Sequence, residues 1–188
     1  MGDRTISTAR DVVDYLTEQH ERIKQLFIET LDAPNAAAQE SVFAQLRTLL
    51  AVHETAEEMM IHPRVRRKVE GGDAIVDARL AEEHQAKQAL QEIEKLEFGT
   101  SEFAKAVIHL HAAVLQHAQR EEDEEFSALE SELSDDERKK LTSALQLAER
   151  IAPTHPHAGV ESGAANFAVG PFVSLLDRAR DALSDAFG

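Results

Sequence analysis

The first 150 residues hold two prolines, Pro34 and Pro63, and four glycines, Gly2, Gly71, Gly72 and Gly99. A stretch so poor in helix breakers is built for long helices, provided its apolar residues recur at the helical period. They do. Val13, Leu16, Ile23 and Phe27 form one seam, and Leu46, Leu49, Leu50 and Met60 a second. Val76, Leu80, Leu90 and Ile93 form a third, and Phe103, Val107, Leu110 and Val114 a fourth. No run of alternating apolar residues argues for a strand. The few breakers mark the joints. Asp32–Asn35 is a turn, Pro63 interrupts a helical pattern, Gly71-Gly72-Asp73 is a loop, and Phe98–Ser101 is a loop offering an N-cap. Short joints make neighbouring helices antiparallel. The expectation is an all-α fold, an up-down-up-down four-helix bundle over about residues 8–131. Residues 132–188 form a C-terminal helical extension packing on it. That extension has a helix from about Asp135 to Ile151, opened by the capping box Ser134-Asp135-Asp136-Glu137. A second starts at Pro171, with Phe172, Leu175, Leu176, Ala179 and Leu183 on one face. Pro153–Gly159 cannot be helical.

Composition narrows the function. Twenty Lys and Arg against 35 Asp and Glu leave a net charge of −15, which argues against binding nucleic acid or an anionic membrane. No apolar run reaches the ~20 residues of a membrane span, and Met1–Ile6 shows no apolar signal segment, so a cytoplasmic protein is expected. The absence of cysteine removes disulfides, thiolate metal sites and Cys nucleophiles. Nine histidines remain.

Continued along the chain, each seam acquires polar members. His20 follows Leu16 in the first; His53 and Glu57 follow Leu49 in the second. His84 follows Leu80 in the third, and His117 and Glu121 follow Val114 in the fourth. The steps 20→53, 53→84 and 84→117 are 33, 31 and 33 residues, which puts four inward histidines in one layer. The i, i+4 spacing of His53/Glu57 and His117/Glu121 stacks each pair on one helix face. Burying unpaired carboxylates costs several kcal/mol. A metal ion removes that cost, because imidazole and carboxylate are its ligands; iron or manganese suits such a set, and zinc binds it too.

The pattern His20, His53-x-x-x-Glu57, His84, His117-x-x-x-Glu121 resembles the hemerythrin-like, or HHE cation-binding, family over about residues 10–130. The resemblance implies a four-helix bundle around two iron ions, Fe2+ or Fe3+, bridged by Glu57 and Glu121 and by an oxo or hydroxo group. The histidines would be terminal ligands. The oxygen carriers of the family have a further histidine where this chain has Leu80. The second helix instead reads His53-Glu54-Thr55-Ala56-Glu57, similar to the hemerythrin-like domain of iron-sensing F-box proteins, which implies Glu54 as a seventh ligand. A third carboxylate lowers the charge of a diferrous centre from +2 to +1 and favours the ferric state, against simple oxygen carriage. The expected ligand is therefore a diatomic molecule or peroxide, bound or reacted with in an oxygen, redox or iron response. A peroxide-decomposing or nitric-oxide-processing enzyme at the same centre is an alternative. So is a metal-stabilised interaction bundle.

Other residues are set aside. His62, nine positions after His53, faces roughly the opposite side of a regular helix. His109 and Tyr15 read as packing residues and His111 points elsewhere. His155 and His157 sit in a polar loop. In Glu121–Glu125 only Glu121 lies on the seam, with Glu124 or Glu125 a turn further, placed to orient a ligand histidine.

Overall fold

The computed structural model describes residues 11–151 and 172–187, and every regular element among them is a helix. Helix α1, Val12–Leu31, is capped by Asp11, whose carboxylate accepts from the amides of Val13 (2.9 Å) and Asp14 (3.2 Å). Helix α2, Ala36–Ala56, starts from Asn35, which accepts from the Ala38 amide. It does not stop at Pro63. It passes through a π-helical turn, Glu57–Ile61, into α3, His62–Lys68, with Pro63 in the first turn of α3. Gly71 then reverses the chain at φ +73°. Gly72 abuts α3 so closely that a β-carbon there would stand 2.2 Å from the Val65 carbonyl oxygen. Helix α4, Gly72–Ile93, and helix α5, Ser101–Arg120, follow, the latter capped by Thr100. A second π turn, Glu121–Phe126, leads into α6, Ser127–Glu132. Helix α7, Asp135–Ile151, opens on the expected capping box: Ser134 and Glu137 each accept from the other's amide. Helix α8 is Phe172–Phe187. Pro171 and the stretch Pro153–Gly159, with His155 and His157, lie outside the described residues.

Helix α1 packs on α2 and α5, and α4 packs on α5; α8 lies against α2 and α7. No helix among the described residues is long and apolar enough to cross a membrane. The buried apolar residues fall into two clusters, not one. Phe27, Phe43, Leu46, Leu49, Phe103 and Val107 anchor the first, which Phe172 and Leu175 of α8 join. Leu16, Met60, Ile61, Val76, Phe126 and Leu129 anchor the second, with Leu183 of α8. Four of the runs that cross from one cluster to the other pass through a polar stretch: His20 in α1, His53 and Glu54 in α2, Arg79 and Glu83 in α4, Glu121 after α5. Full burial of each large apolar side chain contributes ~1.5–3 kcal/mol, and these two cores hold the polar layer between them.

The third seam is out of phase with expectation. Val76, Leu90 and Ile93 are buried, but Leu80 is 37% exposed and His84 is exposed, its Nε2 lying 2.9 Å from the Gln88 side-chain nitrogen. The inward face of α4 instead carries Arg79 and Glu83. The placement of His84 inside is therefore corrected: position 83, seven residues after Val76 and seven before Leu90, returns to the same face at 3.6 residues per turn.

Candidate metal centre

Three of the four expected histidines meet. His20, His53 and His117 come from α1, α2 and α5, and each is anchored through one ring nitrogen. His20 Nδ1 donates to Glu122 Oε1 at 2.7 Å, His53 Nδ1 to Gln19 Oε1 at 3.0 Å, and His117 Nδ1 to Glu82 Oε2 at 3.0 Å. That choice of donor leaves the Nε2 lone pair free. All three Nε2 atoms point inward and make no hydrogen bond. They face carboxylate oxygens: His117 Nε2 is 2.8 Å and His20 Nε2 3.3 Å from Glu121, and His53 Nε2 is 3.4 Å from Glu57. Lone pairs do not hold one another. What fits between them is a proton or a metal cation.

Glu57 and Glu121 are fully buried, and none of their four carboxylate oxygens accepts a hydrogen bond. His20, His53, Glu57 and Glu121 each offer a donor atom within 4.8 Å of one another; a second group, His62, Glu83 and Glu121, does the same. His62 Nε2 lies 3.7 Å from both Glu83 Oε1 and Glu125 Oε2. The two groups share Glu121, the first richer in nitrogen and the second richer in oxygen.

The π turns create the second group. Each widens the helix by one residue. Nine residues of regular helix would put His62 opposite His53, but with one residue taken up in the bulge it advances as eight and swings to within about 80° of it. The expectation that His62 faces away is corrected accordingly. The same insertion turns Glu125 onto the His117 face and buries both it and Phe126. Glu83 completes the group from α4. Sequence reasoning missed it because its neighbours on that face are charged.

Glu54 is buried beside the cluster but outside it. It is ion-paired at 3.4 Å with Lys87 Nζ, which donates hydrogen bonds to Glu58 (2.7 Å) and Glu83 (3.0 Å). Arg180 of α8 reaches the same Glu58 at 3.2 Å. Arg79, itself buried, pairs with Glu82 and Glu124, and Arg120 pairs with Glu82, so the carboxylate that orients His117 is held from both sides. His111 stacks on Phe27 with ring centres 4.7 Å apart, and Tyr15 belongs to the second apolar cluster.

The electrostatics are those of a buried acidic cluster. Burial, then the charges of Glu121, Glu83 and Glu125, pushes Glu57 well above the usual carboxylate range. Burial pushes Glu83 and Glu125 up to about 8 and Glu54 to about 7. His62 is lowered to about 4, chiefly by burial, and His53 falls well below its ordinary value for the same reason. His117 goes the other way: burial pulls it down, but Glu121 and Glu82 outweigh burial and raise it to about 10. Without a cation the layer holds protons on groups that ordinarily lack them at neutral pH. With one, the same oxygens and nitrogens become ligands. The residues present therefore fit a metal centre.

An all-helical chain with a buried layer of anchored imidazoles and unpartnered carboxylates defines a class: helical proteins with a metal-binding interior. The sequence comparison states the family. Residues 11–129 match the hemerythrin HHE cation binding domain, and the chain belongs to that family. It is 25% identical over 138 residues, 73% of its length, to a Nostoc sp. protein named DNA nickase. The chain spans 39% of that relative's length. No solved structure matches.

Proposed function

We propose that this protein is a non-haem dinuclear iron protein that binds or reacts with dioxygen, peroxide or nitric oxide. Its α1, α2–α3, α4 and α5–α6 runs would form the up-down-up-down bundle, with 132–188 packed on it. His20, His53 and His117 would hold one iron. His62, Glu83 and Glu125 would hold the other, and Glu57 and Glu121 would bridge them. The single observation that carries the reading is the set of anchored rings, each tied through Nδ1 and each presenting an unpartnered Nε2 to buried carboxylates. That arrangement is how a protein fixes the tautomer and aim of a ligating histidine. His84 and Glu54 stand outside the proposed set, the one on the surface and the other beside Lys87.

Four carboxylates, Glu57, Glu83, Glu121 and Glu125, balance two ferrous charges and favour the ferric state, which weighs against reversible carriage. Bound iron would supply one-electron redox chemistry at an open coordination position. Apolar side chains flank the layer, with Phe126 stacked on His20 at 5.5 Å and the two apolar clusters above and below. The function named for the Nostoc relative is that protein's; a net charge of −15 weighs against a nucleic-acid partner here.

Iron analysis with an optical spectrum tests the proposal. About two irons per chain, with near-ultraviolet charge-transfer absorption, are expected, and both should be lost in a His117→Ala, Glu121→Ala double variant. Full iron content in that variant defeats the ligand assignment. Peroxide turnover exceeding that of an equal amount of free iron separates an enzyme from a binder.

A further inference from the structure

Between α4 and α5 a groove of about 630 Å³ runs from the polar layer to the surface. Its inner end is formed by Glu54 and His117, its walls by Ala86 and Ala89 of α4 and Ala106 and Ala113 of α5. From Ala106 to His117 along α5 is ~16 Å at 1.5 Å per residue. Diatomic molecules do not need such a space: a 110 Å³ cavity between α1 and α5 already reaches His20. The volume lies instead in the ~300–1,000 Å³ range of sites for organic molecules. A second observation sets the inner end. Glu54 is 4% exposed, lines the groove, and its Oε2 makes no hydrogen bond, with Lys87 no nearer than 3.4 Å. A buried oxygen held by an ion pair alone can still accept a hydrogen bond from a further donor.

We infer that this groove binds an elongated small organic molecule with an apolar body and a hydroxyl or N–H donor at its inner end, seated against Glu54 beside His117. The inference rests on the metal-centre reading only in making that inner end the neighbour of the iron. Binding itself depends on the groove. A carboxylate at the inner end is disfavoured, because it would bury a second anion against Glu54.

Decan-1-ol, decane and decanoate serve as probes, titrated by displacement of the neutral dye Nile red from protein expressed with iron, with iron measured in every sample. The alcohol should bind saturably and about ten-fold tighter than decanoate or decane. Ala89→Trp and Ala113→Trp, both at exposed wall positions, should each weaken the alcohol about ten-fold or more with helicity and iron content unchanged. Ile108→Trp, on the outer face of α5 at 51% exposure, should not. Equal affinity for alcohol and decanoate overturns the donor end. Indifference to both tryptophans, or no saturable dye binding because another part of the protein or a second copy fills the groove, overturns the site. A chain that takes up no iron yet passes these tests defeats the metal reading and leaves the groove standing.

Discussion

The metal-stripped protein should become less stable as pH rises from 5.5 to 7.5, and iron should remove that loss. Glu83 and Glu125 are raised from 4.5 to about 8, first by burial and then by neighbouring carboxylates, Glu54 for one and Glu121 for the other. A carboxyl group with a higher pKa in the folded chain holds its proton more tightly there. Its stabilising contribution is complete below the unfolded value and is lost as pH climbs through the folded one. Within that window each group withdraws ~1.4 kcal/mol per pH unit, so two groups over two units withdraw about 5 kcal/mol. Glu57, also raised, and Glu54, raised to about 7, add to the loss. His62, lowered to about 4, gains stability up to its ordinary 6.5, while His117, at about 10, loses it above 6.5; across this interval the two offset. His53, depressed by burial, returns part of the loss below 6.5. The roughly 5 kcal/mol from Glu83 and Glu125 alone is a large share of the ~5–15 kcal/mol that holds a domain folded. Urea unfolding followed by circular dichroism, with chelator and with anaerobic Fe2+, reads it directly. The gap between loaded and stripped protein should widen with pH, because the cation competes with protons for the same atoms. A stripped protein as stable at pH 7.5 as at 5.5 would show that these carboxyl groups are not buried together, and would refute the argument.

Four further outcomes are expected. His62→Ala and Glu125→Ala should each lower iron from about two to about one per chain, by metal analysis. His84→Ala should leave iron content and spectrum as they are; a loss would overturn the outward placement of that ring. Gln19→Leu, which removes the acceptor for His53 Nδ1, should weaken iron affinity ~10–100-fold in chelator competition. Phe103→Ala, at a fully buried ring between Phe43 and Phe98, should cost ~3–5 kcal/mol in urea unfolding with little effect on iron stoichiometry.

The helices, their joints and the inward aim of His20, His53, Glu57, His117 and Glu121 were legible in the sequence because α1, α2 and α5 flank their polar positions with apolar ones. The N-cap within Phe98–Ser101 and the capping box at Ser134 were legible from their own residue types; Asn35 was read only as part of a turn. Helix α4 was not. Its inner face carries Arg79 and Glu83, so hydrophobic periodicity gave no signal there, and the exposed Leu80 supplied a false one. Leu80 and His84 lie four apart, as a seam requires, but on the wrong side. His62 and Glu125 were lost to the π turns. A hint existed in the unbroken apolar run Met59-Met60-Ile61, too wide for the stripe of a regular helix, just ahead of Pro63. No pattern based on a constant 3.6-residue period can register a change of period. The outward anchors, Gln19, Glu82 and Glu122, look like ordinary surface residues until the rings they hold are placed.

Because each π turn takes up one extra residue, a donor beyond it keeps the aim it would have in a regular helix one residue shorter. Deleting one residue within Glu57–Ile61 would leave His62 eight positions after His53, about 80° around, as it stands with the bulge; the same deletion within Glu121–Phe126 would leave Glu125 seven positions after His117, on the same face. Winding the present residues without the bulge would instead carry each donor about 100° away from the interior. The oxygen-rich half of the layer is thus kept in phase with the histidine-rich half, and a one-residue change in the length of the gene can be absorbed inside the helix without parting them.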